Sequence, residues 1–370
     1  ENFSGVNQRI LDLGCGEGVL GVYATSNIRN SLYVGVELDQ QHFETALTQL
    51  SEHEILQGDV TSSEVEDILC SYGKFDYAVG NPPYVRYKYK KEYAEIIHAI
   101  FPHLELTRNG IRSEIIFLAK ALGHLKKHGT ISFILPRVLF SSDGFATFRR
   151  VLLEIFSDIE VISLPDNIFN KADVSTCLLR ATDSYRKQRI RLSSADKSAK
   201  ITDTITVTST EAIHRMDYYY HSTMKKMGIE SDGSVPTLQS LGVEIKRGSR
   251  SKSEFIQKKI THFHTADFPD NADVISLGKE NNRKFILAEE GDVLTPRVGT
   301  RILDRQVMVA GGALAITDCV YRLRTEKQLA DKVLSILQSK IGITWRKIHA
   351  KGSCAKYITN SDMLSIPILN

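Results

Sequence analysis

The chain has no apolar run near the roughly 18 residues needed to cross a bilayer, and no secretory leader pattern opens it. A membrane protein is therefore not expected. Cysteine is scarce, five in 370 residues, and Cys15, Cys70, Cys177, Cys319 and Cys354 form no CxxC pair or His-x-His cluster. That scatter excludes a disulfide framework and a structural zinc site, and no metal is expected. Charge of one sign is also missing, because 47 Lys and Arg stand against 44 Asp and Glu, for a net +3. The balance hides a division: residues 1–80 carry 3 basic and 13 acidic side chains, net −10, and the remaining 290 carry 44 and 31, net +13. An anionic partner is expected at the second part. With 42% hydrophobic and 25% charged residues the chain reads as folded, and its length suggests two domains. Glu1 and an early strand-like run make it read as a piece of a longer chain.

Strand-like runs at 10–13, 32–36, 55–57, 75–79, 130–135, 159–163 and 175–181 alternate with amphipathic stretches at 19–26, 41–50, 64–72, 115–127 and 145–156. This pattern predicts an α/β fold, a doubly wound and mostly parallel seven-stranded sheet wrapped by helices. Residues 183–202 are polar and basic and read as an exposed connection or hairpin. Beyond them, short strands at 243–246, 292–295, 307–310 and 319–323 and a helix at 326–338 predict a smaller α+β domain. The expected division is 1–185, a connection over 186–215, and 216–370.

The first strand hands over to a helix through Asp12-Leu13-Gly14-Cys15-Gly16-Glu17-Gly18. Glycines there let a ligand approach the backbone. Val19 stands where a dinucleotide fold has its third glycine, which disfavours a pyrophosphate ligand. Glu37 ends the second strand, placed to accept from both ribose hydroxyls, and Asp59 follows the third, placed to accept from an adenine amino group. Taken singly, each acidic residue is as well explained by a helix cap. Three in register after successive strands imply a nucleoside ligand without pyrophosphate, which suggests S-adenosylmethionine.

Asn81-Pro82-Pro83-Tyr84 follows the fourth strand. The two prolines stiffen the loop, so that the Asn81 amide and the Pro82 carbonyl present paired acceptors to a planar amino group, while Tyr84 offers a stacking face. Next comes Val85-Arg86-Tyr87-Lys88-Tyr89-Lys90-Lys91, mixing cations with rings, in which Arg86, Lys88 and Lys90 are candidates for phosphate contacts. A merely solvated basic face is the plain alternative.

Asp12 to Gly18, Glu37, Asp59 and Asn81 to Tyr84, in this order, resemble the amino-group methyltransferases, most closely the γ-class DNA adenine methyltransferases of restriction-modification systems. The resemblance continues through 129–136 and 167–176. It implies an S-adenosylmethionine-dependent, adenine-specific enzyme with Asp12, Gly14, Cys15, Gly16, Glu37, Leu38, Asp59, Val60 and Asn81 around the cofactor. It also implies that Asn81, Pro82, Pro83 and Tyr84 serve catalysis, with Phe169 stacking on a flipped adenine opposite Tyr84. A further motif, upstream of the glycine turn in that class, is absent from this sequence. Residues 241–248, 295–300, 351–353 and 358–367 are similar to target-recognition domains of Type I specificity subunits, which makes Arg247, Arg297 and Arg301 candidates for DNA contacts, although each is as readily structural. The resemblance implies double-stranded DNA as partner, a restriction nuclease domain or subunit beside it, and a prokaryotic cytoplasmic location on DNA. A methyltransferase acting on a glutamine amide or on RNA, and an inactive specificity subunit, are the competing readings.

Overall fold

The computed structural model describes residues 8–28, 30–107, 110–165, 175–184, 187–229, 235–279, 284–299, 302–352 and 355–368. Two compact units divide the chain, Glu1–Tyr218 and Tyr219–Asn370. Among the described residues no helix is long and apolar enough to cross a membrane.

The first unit is built on β1 (Arg9–Leu13), β2 (Leu32–Glu37), β3 (Glu54–Gln57), β4 (Phe75–Gly80), β5 (Leu125–Pro136), β6 (Asp158–Ser163), β7 (Thr176–Thr182), β8 (Arg189–Ala195) and β9 (Ile201–Val207). Their order in the sheet is β9-β8-β6-β7-β5-β4-β1-β2-β3. From β3 across to β5 all pairs are parallel, β7 runs antiparallel between β5 and β6, and β8 is parallel to β6. Ile10, Leu11, Leu13, Val34 and Val36 are all buried, as expected of strands covered on both faces. Helices α1 (Val19–Asn27), α2 (Gln40–Gln49), α3 (Ser63–Ser71), α4 (Lys91–Ile100), α5 (Ser113–His124) and α6 (Ala146–Ile155) make the crossovers. In α5 eleven of twelve residues are buried, so it acts as a core helix with no solvent face.

The sheet exceeds the expected seven strands by two. Residues 189–207 are not a connection between domains: they form β8 and β9, and the first unit continues to Tyr218. Of the two expectations for the polar stretch after residue 183 the hairpin is found, and its polar side chains take partners across the strands. Ser193 Oγ donates to Glu160 Oε1 at 3.0 Å, and Ser194 Oγ pairs with Thr202 Oγ1 at 2.8 Å.

The order of the sheet fixes where a ligand goes. The chain runs outward from β1 to β3 and then returns to β4 on the other side of β1, so the carboxyl ends of β1 and β4 flank the switch point of a doubly wound sheet. Asp12 is the register partner of Val79, which puts Gly14 and Asn81 at that crevice.

The second unit is a seven-stranded sheet in which Glu244–Arg247, Val320–Arg324, Val293–Pro296, Val307–Ile316 and His262–Phe263 lie in that order. Val274–Lys279 and Leu287–Glu289 also pair with Val307–Ile316. Helices Ala330–Gln338 and Lys340–His349 place Val333, Leu337 and Trp345 in one core with Val293, Tyr321 and Leu323. The second helix escapes sequence patterning because Arg346 lies on its buried side. That guanidinium is fully buried, bonded to Gln306 Oε1 at 2.7 Å and Thr295 Oγ1 at 3.0 Å as well as to backbone carbonyls.

Candidate active site

Asp12 stands one residue before the end of β1 with its side chain fully buried. The Tyr33 hydroxyl, from β2, donates to its Oδ2 at 2.9 Å, while Oδ1 accepts no hydrogen bond. Burial pushes the Asp12 carboxyl up to about 7; the Tyr33 bond opposes the shift and the Glu37 charge adds to it. Cys15 is also buried, and burial raises its thiol to about 12, which leaves it an inert packing group.

The glycine turn differs in one respect from the expectation of open backbone donors. Gly14 and Cys15 N–H both donate to the Val36 carbonyl, at 2.8 and 3.0 Å, and Gly16 N–H donates to Glu37 Oε2 at 2.7 Å. What the turn offers is space. Gly14 has φ +74°, and a Cβ on it would stand 2.9 Å from the Phe117 ring; Gly16, at φ +58°, has nothing within 4 Å of such an atom. A ligand can therefore lie against Gly16.

Glu37 Oε1 accepts from the Leu38 and Asp39 N–H groups at 2.9 Å each, so its carboxylate is oriented by three backbone donors. Asp59 Oδ1 accepts from Thr61 N–H and Oγ1 at 2.8 and 2.7 Å, and Gly58 N–H bonds to the Glu37 carbonyl, which draws the ends of β2 and β3 together. The helix that follows is capped by Ser62 and not by Asp59, whose Oδ1 holds the loop before it. Leu38 is exposed and Val60 buried.

In the Asn81–Tyr84 loop the Tyr84 hydroxyl lies 2.9 Å from Asn81 Oδ1 and 3.1 Å from the Ile134 carbonyl, sharing its proton between them. Burial, with the Glu114 charge second, holds this hydroxyl protonated well above its ordinary range. Ser113, buried at the start of α5, clamps the loop: its hydroxyl donates to the Pro83 carbonyl and accepts from Val85 N–H at 3.2 Å. Sequence reasoning missed Ser113, Tyr33 and Glu114. A serine before a helix signals a cap, yet this one turns to a loop nearly thirty residues away.

Arg86, Lys88 and Lys90 are exposed beside the loop. Arg86 Nη1 bonds to the Gly110 carbonyl at 3.3 Å, and Lys90 Nζ lies 5.1 Å from the Tyr93 ring centre. In the second unit Arg247 is exposed on an edge strand, whereas Arg297 is partly buried with Nε donating to the Asp318 carbonyl at 2.8 Å. Phe169 and Arg301 lie outside the described residues. Among the described residues one group has metal-ligand character, Glu66, Cys70 and His124, but the Lys120 ammonium pairs with Glu66 and holds the place a cation would take.

A sheet of this order, reversed at β7 and opening its crevice between β1 and β4, is a methyltransferase-like α/β fold. The family model of the Eco57I restriction-modification methylase matches residues 24–169. Ribosomal RNA small subunit methyltransferase C of Haemophilus influenzae is 26% identical over 163 residues, 43% of this chain and 39% of that protein. Modification methylase CviBIII of Paramecium bursaria Chlorella virus NC1A is 27% identical over 151 residues, 40% of this chain and 35% of that protein. The crystal structure of a type I restriction-modification system methyltransferase subunit from Streptococcus thermophilus aligns with a TM-score of 0.46 at 20% identity, covering 62% of this chain and 50% of that one. The chain spans less than two-fifths of the length of these two curated relatives.

The residues present fit S-adenosylmethionine. The buried and unbonded Oδ1 of Asp12 and the carboxylates of Glu37 and Asp59 suit a cationic nucleoside, and the open side of Gly16 admits it. When bound, this group supplies a methyl on a sulfonium. Asn81 Oδ1 is a carboxamide acceptor on the loop that follows β4, of the kind that can hold an amino N–H.

Tyr84→Phe keeps the ring and removes the hydroxyl that bonds to Asn81 Oδ1, so methyl transfer should fall less than in the alanine variant. Tyr84→Ala should lower kcat/KM roughly ten- to a hundredfold through lost stacking. Steady-state kinetics of the two variants separate the ring from the hydroxyl; equal losses would contradict the stacking role.

Proposed function

We propose that the first unit transfers a methyl group from S-adenosylmethionine to the exocyclic 6-amino group of an adenine rotated out of duplex DNA. The second unit recognises the target sequence, and the chain works within a restriction-modification system. The observation that carries this reading is the Asn81–Tyr84 loop at the carboxyl end of β4, with the Asn81 acceptor in it and the glycine turn following the neighbouring β1. In this reading Asn81 Oδ1 and the Pro82 carbonyl orient the amino group and draw on its two N–H bonds, which favours a pyramidal nitrogen with its lone pair free. The match to the Eco57I methylase family and the similarity to modification methylase CviBIII support DNA as substrate. So does the exposed run of Arg86, Lys88 and Lys90, since a flipped adenine requires a held duplex, and the flipping cost of a few kcal/mol is offset by stacking and phosphate contacts. Phe169, in this reading, faces Tyr84 across the base, and Arg247, Arg297 and Arg301 face the DNA. A nuclease would act from a separate domain or subunit.

An RNA substrate is the second reading, favoured by the similarity to the ribosomal RNA methyltransferase. Incubation with methyl-labelled S-adenosylmethionine and equal amounts of duplex DNA, ribosomal RNA and a glutamine-bearing release factor decides between substrates. Label in the duplex is expected; label in RNA or protein alone would overturn the DNA reading. Replacing Lys88 and Lys90 together by Ala should lessen the slope of log affinity against log salt by about two, one phosphate contact for each lysine, at any DNA sequence. A fluorescence anisotropy titration across salt concentrations measures this, and an unchanged slope would place the lysines off the DNA.

A further inference from the structure

Helix α5 touches both halves of the crevice. Ser113 at its start clamps the Asn81–Val85 loop, and Phe117, one turn on, packs against Gly14 of the glycine turn. Glu114 shares the Phe117 side of the helix at i, i+3 spacing. Its side chain is fully buried. One oxygen, Oε1, accepts from Arg112 Nη1 at 2.7 Å; the other, Oε2, accepts no hydrogen bond. Arg112 supplies the opposite charge to this carboxylate, but a buried oxygen without a donor still costs free energy, which a ligand donor or a second positive charge offsets. Hydrogen-bond donors and cations fit such a position.

We propose that Glu114 is a cofactor-selecting residue whose buried carboxylate faces the cationic end of S-adenosylmethionine between the glycine turn and the Asn81 loop, and so distinguishes the sulfonium cofactor from its neutral thioether product. The inference rests on the methyltransferase reading above. It follows from charge: S-adenosylmethionine carries a positive sulfur that S-adenosylhomocysteine lacks, while the two share adenosine and the amino acid group. A fixed carboxylate nearby favours the first over the second and weakens its hold once the methyl has left. Arg112 orients the carboxylate, and its guanidinium is itself held over the Phe145 ring at 5.8 Å.

Calorimetric titration of the whole chain with S-adenosylmethionine and, separately, S-adenosylhomocysteine tests this without turnover. Glu114→Gln keeps the shape and an acceptor for Arg112 but removes the charge. It should weaken S-adenosylmethionine binding roughly tenfold and leave S-adenosylhomocysteine within about twofold of wild type. Glu114→Asp, which retains the charge, should preserve the ratio of the two affinities. An equal loss for both ligands in Glu114→Gln, or no loss for either, overturns the inference while leaving the methyltransferase reading intact. A wild-type chain that binds neither ligand removes that reading, and the inference with it.

Discussion

Asn81→Ala is expected to lower methyl transfer by about a hundred- to a thousandfold while S-adenosylmethionine binding stays close to wild type. The carboxamide oxygen is one of two acceptors in the stiff loop after β4, and its geometry is set by three neighbours: the Tyr84 hydroxyl at 2.9 Å, Pro82, and the Ser113 clamp on Pro83. An amine whose lone pair is conjugated with a ring is a poor nucleophile, and the acceptors act most strongly as that nitrogen becomes pyramidal. Such an interaction belongs to the transition state, so its loss falls on kcat and little on binding. Asn81 is exposed, so folding should survive the substitution. Single-turnover kinetics beside calorimetry separate the two effects, and a parallel loss of cofactor affinity would show that Asn81 serves binding instead.

The second large effect concerns Asp12 and is a matter of pH. Its carboxyl is raised by burial to about 7 from 3.8, so between these values the folded chain binds a proton that the unfolded chain has released. Stability should therefore be greatest below about pH 4 as far as this group is concerned, decline as pH rises to 7, and level off above, with a total contribution on the order of 4 kcal/mol. Asp12→Asn removes the decline and should be more stable than wild type at pH 8. Cofactor affinity should move the other way, rising as Asp12 ionises and meets a cationic ligand, and that rise should vanish in the variant. Denaturant unfolding from pH 4 to 8 without ligand, paired with calorimetry over the same range, reads both slopes. A wild-type stability curve that climbs through this window relative to Asp12→Asn would contradict the assigned shift.

Much of the first unit is legible from sequence because its signals are local. Buried runs such as 32–36 mark parallel strands, glycines at 14, 16 and 18 mark a turn with positive φ, and prolines at 82 and 83 mark a rigid loop. Contacts that orient the site are not local. Tyr33 reaches Asp12 across 21 residues and Ser113 reaches Pro83 across 30, and neither side chain stands in a pattern that would reveal its partner. The polar segment that reads equally as a connection or a hairpin is the hairpin of β8 and β9, since hydroxyl pairing lets it join the sheet. Arginines are no easier to place from sequence: Arg297, a candidate for DNA that is as readily structural, donates its Nε to the Asp318 carbonyl, while Arg149 is fully buried and bonded to the carbonyls of Leu139, Ser142, Ile213 and His214. Composition and architecture divide the chain at different places. The sign of the charge changes at Asn81, at the proposed meeting of cofactor and substrate, whereas the compact units part at Tyr218 and Tyr219.

The central claim is that the amino group methylated is that of adenine in duplex DNA. Duplex DNA treated with the protein and S-adenosylmethionine, then digested to nucleosides and analysed by mass spectrometry, tests it most directly. The account predicts N6-methyldeoxyadenosine, produced by the wild-type chain and lost in Asn81→Ala. Methylation confined to cytosine, or DNA left unmodified while RNA or a glutamine amide gains the methyl, would contradict it.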